Sequence, residues 1–251
     1  MSGSGDFRSR PDFGLDAPPI VYGYAALGLV GVGLLIVAAT AISSSVLLGW
    51  GLWALVLGFG VAGLMLYSSK IGKIRVRDKL LDTLRLRGDE DVLDLGCGSG
   101  LMLLGAAARA PAGTATGIDL WRARDQAGST RQQCLTNAER LGVSERVRLT
   151  DGDMTDLPFP DGSFDLVLAC LAIHNLHPTA RRENAIGEAI RVLRPGGQLA
   201  VIDIAGTRSY LSTASNAGMR NPRRSGYVLG IFPPTRIITA TKANQGPPVA
   251  T

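Results

Sequence analysis

Metal chemistry has little to draw on in this chain, which holds two histidines and three cysteines in 251 residues. Cys97, Cys134 and Cys170 share no metal-ligand spacing and are odd in number, so neither a zinc site nor a disulfide framework is expected. In a cytoplasmic setting the thiols stay reduced. Charge is also missing, and from one place: no Asp, Glu, Lys or Arg occurs between Asp16 and Lys70. A charge-free run of that length exceeds what a buried core helix requires and excludes a solvated linker.

The run divides at Ser43-Ser44-Ser45 into residues 20–42 and 46–67, each a little longer than the roughly 20 residues that cross a bilayer core of about 30 Å. Two transmembrane helices joined by a tight turn are expected. A secretory signal peptide, with Arg8 and Arg10 as its basic region, fits less well, because the apolar run starts late and a second one follows it. Lys70, Lys73, Arg75, Arg77 and Lys79 cluster after the second helix, and the turn carries no basic residue. Both ends should therefore be cytoplasmic, in a multi-pass protein of the inner or plasma membrane. Ala54, Gly58 and Ala62 form a small-residue stripe suited to close approach of another helix, the first helix or a second protomer. The net charge of +5 and pI near 9.4 are then better matched to anionic membrane lipids than to nucleic acid, which is not expected as a partner.

Residues 1–19 are rich in Gly, Ser, Pro and Asp and read as a disordered tail, with another at 244–251. Residues 70–88 form a basic connector in which 71–86 is amphipathic, either a cap on a ligand site or a simple link. Beyond it, over 89–243, short apolar runs alternate with helical patterns: strands at 91–95, 114–119, 146–150, 164–170 and 198–203, helices at 101–109, 129–141 and 179–192. A helix near 209–219 and two extended runs, 223–231 and 235–241, complete the chain. Alternation of this kind predicts an α/β, Rossmann-like, doubly wound sheet, mostly parallel, with ligands bound beyond the carboxyl ends of its strands.

The first strand runs into Gly96-Cys97-Gly98-Ser99-Gly100, where three glycines remove the Cβ atoms that would hold a ligand off the backbone. The following helix points its first amides at the loop. The sixth place of a dinucleotide fingerprint is Leu101 rather than glycine, and Asp94 precedes the loop. An acid there repels a pyrophosphate and suits a cationic amino-acid tail. Asp119, about 20 residues on, stands where a carboxylate accepts from ribose hydroxyls. Two acids around a glycine loop favour S-adenosylmethionine over a nicotinamide dinucleotide.

With these residues, the segments Asp151–Asp165, Leu166–Cys170 and Leu193–Leu199 make residues 75–243 similar to the class I S-adenosylmethionine-dependent methyltransferases, in the branch of the ubiquinone/menaquinone biosynthesis enzymes. The resemblance implies a seven-stranded sheet preceded here by the two membrane helices, with S-adenosylmethionine as cofactor and S-adenosylhomocysteine as product. It implies cofactor contacts from Asp94, Gly96, Cys97, Gly98, Gly100, Asp119, Leu120 and Cys170, and from Asp153 and Met154 at the adenine, with Asp151 as an alternative acid. Trp121 stacks on the adenine or only packs. Cys170 to His177 follow the fourth strand, where methyl and acceptor meet in this fold; His174 is the candidate general base, with Asn175 and His177 weaker. An Asn/Asp-Pro-Pro-aromatic motif is missing from that segment, which disfavours methylation of nucleic-acid bases. The expected acceptor is a small apolar or lipid-like molecule at the cytoplasmic membrane face. A soluble metabolite, or a non-catalytic protein acting through partners, is the other reading.

Overall fold

The computed structural model describes residues 11–121 and 131–244. Five apolar runs become parallel strands: β1 (Asp91–Leu95), β2 (Thr114–Asp119), β3 (Val147–Asp151), β4 (Phe164–Cys170) and β5 (Leu193–Asp203). Two more, β6 (Arg220–Arg224) and β7 (Arg236–Thr241), close the sheet, β7 running antiparallel to β5. The order is β3-β2-β1-β4-β5-β7-β6, the seven-stranded Rossmann-like arrangement read from the sequence.

Both faces of the sheet are covered, so its central strands are apolar at nearly every position. The pleat sorts them. Val92, Leu166, Leu168 and Ile202 lie in one core with Leu81 of α3 (Lys73–Leu84) and Leu103 and Leu104 of α4 (Leu101–Arg109). Leu93, Leu95, Val167 and Val201 lie in the other with Ile186 of α6 (Thr179–Val192) and Tyr210 of α7 (Thr207–Asn216). Between β2 and β3 runs α5 (Arg131–Arg140), so the first residues of the helix read at 129–141 fall outside the described ones.

The charge-free region forms a helical hairpin, α1 (Pro18–Val37) and α2 (Ser45–Tyr67). Each helix is long and apolar enough to cross a membrane by length and composition. Ser44 caps α2 through the Leu47 amide, 3.4 Å away, in the turn expected at 43–45. The small-residue stripe faces the first helix: a Cβ on Gly58 would stand 2.3 Å from the Gly28 nitrogen, so only glycine lets the two backbones meet. Outward, Leu29, Ile36, Trp50, Trp53, Val56 and Phe59 are exposed.

Two sequence expectations change. The connector at 70–88 is no separate element, because α2 passes through a π-helical turn, Ser68–Gly72, straight into α3. The tail at 1–19 is not free over its described part. Phe13 is buried in the α3/α4 core, and Asp12 exchanges hydrogen bonds with Asn137, its amide giving to Oδ1 at 2.9 Å and its carbonyl accepting from Nδ2 at 2.8 Å. Composition had argued for disorder, yet the ordering partners lie far along the chain. Residues 1–10 and 245–251 lie outside the described ones. At the other end of the chain, the run expected at 223–231 is a strand only over Arg220–Arg224.

The loop from β6 to β7 docks on the base of the hairpin. Phe232 packs against Val21, Ala62 and Met65, and its amide donates to Ser68 Oγ at 2.7 Å. Gly72 meets Gly230 so closely that a Cβ would stand 1.8 Å from the Gly230 carbonyl oxygen. Since β7 begins at Arg236 opposite Asp203, this loop leaves the sheet at the carboxyl end of β5. The carboxyl edge of the parallel strands and the base of the hairpin are therefore on one side of the molecule.

Candidate active site

Four of the parallel strands at that edge carry an acid at or next to their end: Asp94 one residue before the end of β1, Asp119 closing β2, Asp151 closing β3 and Asp203 closing β5. Between them sits the glycine loop. Gly96 has φ +66°, and a Cβ there would lie 2.5 Å from the Ala172 Cβ, so the turn needs glycine on both conformational and steric grounds. The loop is pinned from below: the Gly96 amide donates to the Ile118 carbonyl at 2.8 Å and the Gly98 amide to Asp119 Oδ2 at 2.9 Å.

Asp94 is 2% exposed. Its Oδ2 accepts from the Leu103 amide at 2.9 Å, while Oδ1 is buried with no partner. Burial pushes this carboxyl up to about 8, against the Leu103 hydrogen bond and with help from the charge of Asp119. A buried, unpartnered carboxylate oxygen beside a bare glycine loop is a fitting seat for the ammonium group of a methionine tail. The small cavity above it, about 30 Å³, is lined by Asp94, Gly96, Cys97, Cys170 and two residues that sequence reasoning did not include, Lys73 and Asp16.

Asp119 spends one lone pair of each oxygen on the loop, Oδ2 on Gly98 and Oδ1 on the Trp121 amide at 2.8 Å. Each oxygen keeps a second lone pair for a ribose hydroxyl. Leu120 is exposed beside it. The Trp121 indole donates to Asp151 Oδ1 at 2.8 Å, which fixes the ring at the rim. Asp153 is held by Thr155, through its amide at 2.9 Å and its hydroxyl at 2.8 Å, and by Arg181. Burial would raise its pKa, but the Thr155 hydrogen bonds and the Arg181 charge hold it below the usual range. Met154 reaches the glycine loop, its Cε 3.1 Å from where a Cβ on Gly96 would be. The Asp153–Met154 segment thus reaches the glycine loop through Met154.

Cys97 and Cys170 are thiols, not nucleophiles. A hydrogen bond donated to Cys134 and burial push Cys97 up; burial and the nearby Asp94 and Asp203 do the same for Cys170.

His174 stands in a short 3₁₀ turn after β4, Ile173–Asn175. Its Nδ1 lies 2.6 Å from Asp203 Oδ1, and its amide donates to Asp203 Oδ2 at 3.0 Å. Asp203 is fully buried and also accepts from the Ile204 amide at 2.8 Å and from the Tyr210 hydroxyl at 3.3 Å. Arg182 holds the turn by donating to the His174 carbonyl at 2.7 Å. Asn175 and His177 are exposed. Sequence reasoning passed over Asp203. In the sequence it is one of four acids at or next to strand ends, which does not set it apart.

The comparisons with known proteins agree with this geometry. Residues 93–201 match the model of a methyltransferase domain. The chain is 35% identical over 145 residues to 27-O-demethylrifamycin SV methyltransferase of Amycolatopsis mediterranei, covering 58% of this chain and 47% of that one. It is 35% identical over 130 residues to demethylmenaquinone methyltransferase of Thermus thermophilus, covering 52% and 54%. The chain thus spans about half the length of the curated relatives it matches. Among solved structures, geranyl diphosphate C-methyltransferase from Streptomyces coelicolor A3(2), in complex with S-adenosylhomocysteine, shares the fold at a TM-score of 0.55 and 16% identity, over 67% of this chain and 76% of that one. The glycine loop and its orphaned acid thus lie in and beside the segment that matches a methyltransferase domain, residues 93–201, and the cofactor they fit is S-adenosylmethionine.

Proposed function

We propose that the chain is a membrane-anchored methyltransferase that methylates a small, apolar or lipid-like acceptor, with the hairpin as a two-span anchor and both ends on the cytoplasmic side. The observation that carries this reading is the docking of the β6–β7 loop, through Phe232 and Gly230, on the base of the hairpin at the same edge where His174 and Asp203 stand. That loop also carries the exposed side chains of Tyr227 and Leu229. An acceptor kept in a bilayer by an apolar tail would meet the site without leaving the membrane surface. The two relatives above carry names for methylation of a rifamycin and of demethylmenaquinone, both compatible with an apolar acceptor here.

S-adenosylmethionine, when bound, supplies a methyl group on a cationic sulfur leaving group. Asp94 and the glycine loop hold its amino-acid end, Asp119 the ribose, and Met154 and Trp121 the neighbourhood of the base. Asp203 accepts a hydrogen bond from the Nδ1–H of His174 and so leaves Nε2 as the basic nitrogen. When a bound acceptor takes the methyl group, the methyl–sulfur bond breaking with its electron pair left on sulfur, the proton that the acceptor sheds would go to His174 Nε2. Such a base suits an acceptor that loses a proton on methylation, whether from oxygen or from carbon.

The test uses the full chain in membrane vesicles with methyl-labelled S-adenosylmethionine and extracts of the host's lipids and of its water-soluble metabolites. Label in the organic phase that depends on His174 supports the reading. Label confined to the aqueous pool defeats the lipid acceptor.

A further inference from the structure

We propose that Lys73 is the binding partner of the methionine carboxylate of S-adenosylmethionine, and that the segment Pro11–Asp16 is a strap whose Asp16 occupies Lys73 until the cofactor displaces it.

Lys73 is 3% exposed, in the first position of α3. Its ammonium donates to the Phe13 carbonyl at 2.9 Å, to the Gly14 carbonyl at 3.4 Å and to Asp16 Oδ1 at 2.9 Å. All three partners belong to the strap. Without it, Lys73 would be a buried cation with no counter-charge, a costly arrangement in a structural role. Lys73 also lines the small cavity that Asp94 lines, and Asp94 Oδ1 is buried there without a partner. A methionine tail is a zwitterion, and an acid and a base across one cavity beside bare backbone match its two charges. Asp16 brings a carboxylate to Lys73 in that same cavity, which is the group the cofactor would bring.

Volume supports the exchange. About 30 Å³ is room for one water, whereas sites for small molecules run to several hundred Å³. Phe13 and Asp16 form part of the wall, so lifting the strap enlarges the cavity where it is closed. The attachments are of a kind that can be exchanged: Asp16 to Ser69 Oγ through its amide at 3.0 Å and its Oδ2 at 3.1 Å, Asp12 to Lys70 at 2.8 Å and to Asn137. Gly14, at φ +75° with open space around it, supplies a flexible point between Phe13 and Asp16.

The test compares S-adenosylhomocysteine with its decarboxylated analogue, by calorimetric titration of the detergent-solubilised full chain. The wild type should prefer the carboxylate-bearing ligand by roughly 10- to 100-fold, the range of a charge-assisted hydrogen bond. Lys73→Met should bring that ratio to within about twofold while leaving the analogue's affinity nearly unchanged. Asp16→Asn, which retains the shape of the latch, should tighten S-adenosylhomocysteine by about threefold or more. In hydrogen exchange, the amides of Asp12 and Asp16 should lose protection when S-adenosylhomocysteine is added to the wild type. A Lys73→Met protein that keeps the preference overturns the assignment, as does one in which both ligands weaken equally. Unchanged or weaker binding by Asp16→Asn, or unchanged exchange, overturns the strap.

Discussion

His174 Nδ1 and Asp203 Oδ1 lie 2.6 Å apart, and the aspartate is fully buried with four hydrogen-bonding partners. A carboxylate so held fixes one ring tautomer. Asp203→Asn removes the charge and allows the amide to favour the other tautomer, so kcat should fall by about 10²- to 10⁴-fold. The pH profile of kcat at saturating S-adenosylmethionine should change, while S-adenosylhomocysteine affinity stays within about twofold. A variant with full kcat and an unaltered profile would remove His174 from the role of base.

Asp94 gives the site a proton to release. With its carboxyl pushed up to about 8, it is largely protonated at pH 7 in the ligand-free domain. An ammonium group at Oδ1 favours the ionised form, so binding should expel close to one proton. Titrations at pH 7 in buffers of different ionisation enthalpy measure this directly. Affinity should rise with pH up to about 8 and level off above it; no proton release would mean that the tail does not contact Asp94.

The same acid sets a stability slope. The unfolded chain sheds this proton near 3.8, the ordinary value of an aspartate, and the folded domain only near 8, so the native state binds the extra proton between them. Stability from this group is therefore present at low pH and lost as pH climbs through that window. Asp94→Asn removes the loss and should raise the Tm at pH 8.5 by about 3 °C or more relative to wild type, with a smaller gain at pH 5. Equal shifts at both pH values would contradict the sign.

Gly58 touches the backbone of α1 at Gly28. Gly58→Val must push the helices apart, and overpacking of this kind costs about 1–3 kcal/mol. The full chain in detergent should melt lower, whereas Gly60→Val, at a glycine with open space around it, should not.

Topology can be tested at the hairpin turn. A cysteine at Ser44 should react with a membrane-impermeant maleimide added outside intact cells, and one at Asp89 only after permeabilisation. The reverse pattern would put the site on the other face.

Legibility followed the physics of each signal. The strands at 91–95, 114–119 and 164–170 matched to the residue because a doubly covered parallel strand is a bounded apolar run, with glycine or an acid at its end. The hairpin and its glycine contact were legible for a similar reason, since periodic small residues have one use in an apolar helix. Asp203 and the strap were not. Asp203 differs from a surface acid only by what folds around it, above all His174 and Tyr210, 29 and 7 residues away. Phe13 to Asp16 have no periodicity, and their order comes from Lys73, Ser69 and Asn137, contacts that no local pattern encodes.

The unbroken passage from α2 through Ser68–Gly72 into α3 acts as a ruler. A helix advances about 1.5 Å per residue, so the six steps from Tyr67 to Lys73 come to roughly 9 Å. In the proposed orientation, the floor of the cofactor cavity is thus held at one short, fixed height above the lipid surface. A flexible tether would let the catalytic domain sample many heights and angles; this rod offers one. Under the proposed function, an acceptor's reactive atom would have to reach that height while its tail stayed in the bilayer, which would select for the distance between head and tail as well as for chemistry.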